Sequence, residues 1–434
     1  MDTDKFQSSL VIGHFLDMLV KFVSHDCSSH PEMNPELEAL TALVTSRKTC
    51  SSIKTAKKKS LFLSRKGSTK SGGSCDNCFL MKGMIRPTDE CIYKVYCADH
   101  TYTSVRLLLG ATVREIVASA SDKLGLGNDP VLCEVTSSGE RIVFTETDSC
   151  IMPALSVNGR LFIAPREHLD ALTPLPEQEG PTSGTMASLE VMDAKDLATA
   201  MTQHDWELFS SISEQEILQK LFGLAVFPNG HWPNLDRFLH RFAQLQHWVI
   251  TEMVLLPNLG KRVQLLRKLI KLAQHLKDLS NMQAFLAIMM GLGHLAVSRL
   301  SQTWEKLPGK TKKLFSELET QVDPARNHRA YRIIAAKMSA PSIPYMPLLM
   351  KDLNFINEGN DTYNQQMLVN FEKMRMVAQT LRQLRYFKQR PMELEPSDGS
   401  KVAADTKVYV KNFQVIDNQR ILTNLSHKCE PRKG

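Results

Sequence analysis

What this 434-residue chain lacks narrows it first. No apolar run is long enough to cross a bilayer. The longest, Phe285 to Val297, is broken by His294 and falls short of the roughly 20 residues a spanning helix needs. The opening MDTDKFQS carries acids where a secretory leader carries bases, so no signal peptide is expected. The nine cysteines are scattered without a paired framework. That predicts an intracellular, reducing setting, cytoplasmic with membrane recruitment and the nucleus both open. Cys75-x-x-Cys78, followed by Cys91 and Cys97, is the one pattern suggestive of zinc. A single CxxC is a weak signal, and the expectation is no metal. Enzyme signatures are absent too. There is no G-x-S-x-G elbow and no H-E-x-x-H pair. Gly309-Lys310-Thr311 copies the end of a phosphate loop, but the first glycine of that loop would fall on Trp304. Gly291-Leu292-Gly293 lacks the third glycine of a dinucleotide fingerprint. The chain is therefore expected to need no cofactor, to bind no nucleotide itself and to make or break no covalent bond.

Charge is present but local. Nine Lys and Arg residues lie between Arg47 and Lys70 with no Asp or Glu, and removing these nine from the net +7 leaves −2 elsewhere. A nucleic-acid-binding domain would line a folded face with its bases, so no nucleic-acid partner is expected. The basic Ser-rich run can attract acidic lipid, at about 1 kcal/mol per residue near the surface, or serve as a solvated linker.

Along the chain, Phe6 to Phe22 and Leu37 to Val44 carry helical spacing but are too short to bury a core alone. From Cys91 the character changes. Ile92 to Tyr96 and Val105 to Leu109 alternate as a β-hairpin. Thr112 is a candidate N-cap for a helix to Leu124 with Val113, Ile116, Val117 and Leu124 on one face. Val131 to Val135, Arg141 to Phe144 and Arg160 to Ile163 predict three more strands, with turns at Ser137-Ser138-Gly139 and Asn158-Gly159. The order ββαββ(α)β is that of a ubiquitin-like fold. Leu172 to Thr185 is a Pro/Gly linker, and from Asp196 the chain is helical. Leu235, Phe238, Leu239, Phe242, Leu245 and Val249 form one stripe, and Leu266, Leu269, Ile270, Ala273 and Leu276 another. Asn281 to Leu300 is apolar almost all round, as in a buried central helix.

The stretch from Pro341 to Phe387 reads as a helical hairpin. Pro341 and Pro344 set its start, Met346 to Ile356 gives two or three turns, and Asn357-Glu358-Gly359-Asn360 breaks them. Met367, Leu368, Phe371, Met374, Leu381 and Leu384 then recur on one face, with Lys373, Arg375, Arg382 and Arg385 between them.

The wording of that hairpin, PSIPYMPLLMKDLNFINEGN and then NFEKMRMVA, resembles Ras-type guanine nucleotide exchange factors in their Rap-directed Epac/Repac version. NLDRFLHRFAQLQHWVITE, KRVQLLRKLIKLA, NMQAFLAIMMGL, AVSRLSQTWEKL and RNHRAYR follow the order and spacing of that family's catalytic domain. VIDNQRILTNLSH is similar to the C terminus of the group, and CADHTYTSVR and NGRLFIAPRE resemble its Ras-association domain. The resemblance covers about Cys91 to Pro431. It implies a mainly α protein: an all-helical exchange domain preceded by a ubiquitin-like (β-grasp) Ras-association domain. The expected organisation is a partial helical N-terminal motif over 1–46, a basic linker over 47–90, the ubiquitin-like domain over 91–170, a Pro/Gly linker over 171–195 and the catalytic domain over 196–434.

The resemblance also implies roles. The hairpin would wedge open the nucleotide site of a Rap-type small GTPase. Glu358 matches the carboxylate that inserts near the phosphate and magnesium site. Asn354 stands where Ras-directed members carry a Leu that blocks magnesium. Tyr345 would lay aromatic area on a switch region, and Lys351 and Asp352 would add polar contacts. The helix carrying Leu348 and Leu353 would push one switch outward. Arg299 and His294 would face the GTPase, Arg299 and Trp304 also bracing the core beneath. Lys94 and Arg106 would mark a strand edge for a GTP-loaded GTPase, with M-Ras a family-based candidate; a spacer that binds nothing stays open. The alternative function is a GTPase-binding adaptor without exchange activity. No cyclic-nucleotide-binding cassette is visible in the sequence.

Overall fold

The structure, a computed structural model, describes residues 83–126, 130–226, 230–363, 368–394 and 401–431. The helices expected over 6–22 and 37–44, the basic run, Cys75, Cys78 and Met367 lie outside the described residues. Alternating side chains build β1 (Glu90–Tyr96) and β2 (Tyr102–Leu108), an antiparallel hairpin with Tyr93 opposite Val105. Thr112 caps α1 (Val113–Leu124) through a reciprocal pair with Glu115, and left-handed Gly125 closes it. β3 (Pro130–Val135), β4 (Arg141–Val143) and β5 (Arg160–Pro165) complete a mixed sheet in the order β2-β1-β5-β3-β4. One sheet face packs Tyr93, Val95, Leu132 and Leu161 beneath Ile116 and Ala120 of α1. The other buries Tyr96, Cys133 and Phe162 beneath Leu172 and Leu175. Strand β2 is an outer strand; its Tyr102 and Leu108, and Ile92 on β1 beside it, are exposed.

The helical body follows: α2 (Met186–Val191), α3 (Ala194–Ser211), α4 (Glu214–Val226), α5 (Pro233–Val254), α6 (Leu259–Asp278) and α7 (Met282–Gly293). Then come α8 (Leu295–Ser298), α9 (Ser301–Glu305), α10 (Gly309–Val322), α11 (Ala325–Ala335), α12 (Met346–Glu358), α13 (Phe371–Lys388), α14 (Lys401–Lys411) and α15 (Gln419–Cys429). Helix α7 runs through the centre, buried from Met282 to Met289 on every side as its uniform apolarity predicts, but it ends at Gly293, short of the expected Leu300, because His294 is extended and caps the separate α8, where Leu295 is exposed. The stripes of α5 and α6 pack around it.

The segment between α14 and α15 ties body to sheet. Phe413 O accepts from Gln244 Nε2 at 3.1 Å, and Ile416 N donates to Thr251 Oγ1 at 2.9 Å. On the sheet side, Asn158 Nδ2 donates to Val415 O at 2.9 Å and to Asp417 Oδ1 at 3.0 Å, and Asn418 Nδ2 donates to Ser137 O at 2.8 Å. The chain end is anchored by buried Arg262, whose guanidinium meets Thr303 Oγ1 at 2.8 Å and Glu430 Oε1 at 3.1 Å. Burial raises the Glu430 carboxyl's pKa, and hydrogen bonds from Thr303, Gln302 and Arg262 outweigh that and hold it low.

Among the described residues no helix is long and apolar enough to cross a membrane, and no three His, Cys, Asp or Glu side chains gather as a metal site. Cys91 is buried and Cys97 half-buried.

Candidate functional site

The hairpin begins as an extended segment hydrogen-bonded into the body. Ile343 N donates to Ser280 O, and Met282 N donates to Ile343 O, each at 2.9 Å. Pro347 sits in the first turn of α12, where its missing N–H costs nothing. Two side chains meet the amides there: Tyr331 Oη accepts from Tyr345 N at 2.8 Å and Gln283 Oε1 from Met346 N at 3.0 Å.

Helix α12 has two distinct faces. Inward, Met346, Met350 and Leu353 pack with Ile217 and Leu221 of α4 and Val377, Leu381 and Leu384 of α13, while Leu348 joins the main core. Outward, Lys351, Asn354, Phe355 and Glu358 are all exposed, at the i, i+3, i+4, i+7 spacing of a single stripe. Phe355 is 57% exposed, and the Lys351 ammonium stands 5.4 Å from its ring centroid. Asp352, on the flank, takes a bidentate pair from Arg332 of α11 with both distances 2.7 Å. That bonding raises the guanidinium's pKa further. Arg332 Nε also donates to Asn327 O at 2.8 Å, within the left-handed run Arg326-Asn327-His328 at the start of α11. The stripe therefore rides on a helix braced from both sides.

Several expected site residues lie elsewhere than anticipated. Tyr345 is only 8% exposed, with its ring 5.4 Å from Phe242, 5.9 Å from Tyr331 and 6.3 Å from His328. Its aromatic area is spent in the core, and burial raises both its pKa and that of Tyr331, the latter to about 12. Leu348 and Leu353 are buried, so they support the helix from behind instead of presenting it. Arg299 turns inward and donates to Ser426 O at 2.8 Å and Glu430 O at 2.7 Å. His294 caps α8, and its Nε2 lies 3.1 Å from Gln419 Oε1; burial lowers its pKa and favours the neutral ring. Neither belongs to the stripe. The turn expected at Asn357 starts later, because α12 runs through Glu358.

Helix α13 starts at Phe371 on an Asn370 cap; Met374, Leu381 and Leu384 are buried as expected, but the N-terminal part of the expected face is not. Leu368 and Phe371 are 58% and 46% exposed, whereas Lys373, which reads as a solvent-facing base, is buried beside Met374 and Val377. Sequence reasoning missed Phe355 as well, since an apolar residue in an amphipathic helix reads as core.

On the sheet, Lys94 projects from β1 with its ammonium 4.3 Å from the Tyr102 ring and 5.1 Å from that of Tyr96. Arg106 on β2 is exposed and lies opposite Ile92. The two bases share a sheet face with Ile92, Tyr102 and Leu108 at the outer strand.

Residues 196–375 match the RasGEF domain. The chain is 41% identical over 371 residues to Rap guanine nucleotide exchange factor 3 of Homo sapiens, covering 80% of this chain and 40% of that protein. It is 43% identical over 359 residues to Rap guanine nucleotide exchange factor 5 of Mus musculus, covering 82% of this chain and 43% of the relative. It is 40% identical over 362 residues to Rap guanine nucleotide exchange factor-like 1 of Pongo pygmaeus, covering 82% of this chain and 78% of the relative. The chain thus spans less than half the length of the first two relatives and most of the third.

Proposed function

The chain belongs to the Rap guanine nucleotide exchange factor family, and from that premise we propose that it promotes GDP release and GTP loading on Rap-type small GTPases. The observation that carries this reading is the outer stripe of α12, four exposed side chains of wedge chemistry on a helix whose inner face is fully packed. Lys351 and Phe355 supply charge and aromatic area to a switch region. Asn354 and Glu358 reach towards the phosphate and magnesium site. The Glu358 carboxylate competes with phosphate for the same N–H donors. Asn354 supplies no apolar block to the metal, so displacement of magnesium falls to the charge of Glu358.

A GTPase that holds nucleotide at picomolar affinity binds it by roughly −16 kcal/mol. An exchange factor lowers that affinity in the ternary complex, and linkage requires that returning nucleotide expel the factor by the same ratio. No bond breaks, and the direction follows the nucleotide concentrations. Tyr345, Leu348, Leu353 and Asp352 act behind the stripe by holding it rigid, which is where pre-organisation of a wedge resides.

We read the sheet as a ubiquitin-like, Ras-association-type domain whose β2 edge, with Lys94 and Arg106, takes a GTP-loaded Ras-family GTPase such as M-Ras by strand addition. The deciding experiment is release of a fluorescent GDP analogue from Rap-type GTPases. Wild-type protein should accelerate it, and Glu358→Ala should lose about tenfold or more of that acceleration. Binding without acceleration would establish an adaptor instead. Arg106→Glu should weaken capture of the GTP-loaded GTPase and leave exchange on the GDP-loaded substrate unchanged.

A further inference from the structure

We propose that Lys373 is a positioning residue that fixes the tip of the hairpin, so that nucleotide release depends on it through Glu358; this rests on the exchange reading above. An ammonium has three donors and no acceptor. The Lys373 ammonium finds three acceptors, Asn357 O at 2.9 Å, Asn360 O at 2.8 Å and Thr362 Oγ1 at 2.8 Å. Two are carbonyls at and just beyond the end of α12, where a helix leaves its last C=O groups without intrahelical partners and carries its negative pole. Gly359 stays right-handed at φ −77, so the left-handed glycine closure is not used here. The closing charge comes instead from the following helix.

Lys373 is only 2% exposed, with the Phe222 ring centroid 5.9 Å from its ammonium. Burial lowers its pKa, and the charge of Asp361 works against that. Its backbone is held as well. Asn370 Oδ1 accepts from Lys373 N at 3.2 Å, and Asn370 N donates to Thr362 O at 2.9 Å. The Lys373 ammonium and the Asn370 N–H bond to Thr362 O thus stitch the tip to the start of α13, and only the ammonium reaches the end of α12. The rest of α12 does not depend on it, because Met350 and Leu353 are packed in the core and Asn357 Nδ2 donates to Leu221 O at 3.1 Å. Loss of Lys373 therefore loosens the end of α12 from Glu358 onward and leaves Lys351 and Phe355 in place.

The test uses the full chain with Lys373→Met, Glu358→Ala, the double variant and Thr362→Val. GDP release is followed over a range of GTPase concentrations. Lys373→Met should lower kcat about tenfold or more while KM stays within about twofold. In the Glu358→Ala background the same change should cost less than about twofold, because both act on one group. Thr362→Val, which removes one acceptor, should lower kcat in the same direction and decides the matter if Lys373→Met does not fold. Amide hydrogen exchange of residues 359–363 should speed up in Lys373→Met while residues 348–353 keep their protection. An unchanged kcat, a full multiplicative loss in the double variant or unchanged tip protection overturns the proposal. Wild-type protein that fails to accelerate release overturns the exchange reading alone, and the amide measurement then decides whether Lys373 fixes the tip.

Discussion

Truncating Tyr345 and truncating Phe355 should give opposite signatures, although both are aromatic residues of one hairpin. Tyr345 is 8% exposed and ringed by Phe242, Tyr331 and His328. Replacing so large a core side chain with alanine costs about 3–5 kcal/mol. Phe355 is 57% exposed, with the Lys351 ammonium 5.4 Å from its ring centroid. Losing that exposed cation–π contact costs about 0.5–1 kcal/mol. At an interface the ranking reverses. A central aromatic is worth about 2 kcal/mol or more in binding, and at 1.36 kcal/mol per decade that is roughly 30-fold in kcat/KM. Urea unfolding and labelled-GDP release, run on the same preparations, separate the two. Tyr345→Ala should unfold at markedly lower urea and, per folded molecule, lose less exchange than Phe355→Ala. Phe355→Ala should unfold near the wild-type midpoint and exchange slowly. A Phe355→Ala protein with full exchange, or a stable Tyr345→Ala protein with slow exchange, would refute this division into surface and core.

Burial pushes the Lys388 amine down to about 8, with Glu214 and Glu216 pulling the other way. Its folded pKa lies below the unfolded value of about 10.4, so between the two the unfolded chain holds the extra proton, and stability from this site rises with pH. Wild-type protein should therefore gain on Lys388→Met in urea melts as pH climbs from about 8 to 10; a constant gap would count against the assignment. Gly180 has φ 87, and a Cβ there would stand 2.6 Å from Val415 O, whereas Gly125 at φ 62 has nothing within 4 Å. Gly180→Ala should cost about 2 kcal/mol or more and Gly125→Ala about 1 kcal/mol, reflecting φ alone. Equal losses in the melts would show that the contact with Val415 does not matter.

Periodicity carried the elements built from local pattern. The stripe from Leu235 to Val249, the uniform apolarity of α7 and the Thr112 cap all appear where alternation and spacing placed them. Burial decided by distant partners was not readable. Tyr345 is covered by Phe242 and Tyr331, and no local spacing encodes their approach. Lys373 occupies a polar slot of an amphipathic helix and is buried because residues 357–362 turn their acceptors onto it. The same reasoning misplaced Leu368 and Phe371, since α13 begins after the first and at the second. Resemblance pointed to the hairpin as the working part. The division between the stripe and its supports needed coordinates.

The tract from Phe413 to Asn418 is gripped by Gln244 and Thr251 on one side and by Asn158 and Ser137 on the other. It behaves as a keystone. A GTPase taken up at the outer strand, as proposed above, would meet the helices at a fixed bearing, and a second one on α12 would stand a set distance from it. The tract shares this task with Asn234, which exchanges hydrogen bonds with the Ile85 backbone at 2.9 Å, and with His231, 3.2 Å from Ser149 Oγ, so the bearing is fixed at both ends of the sheet.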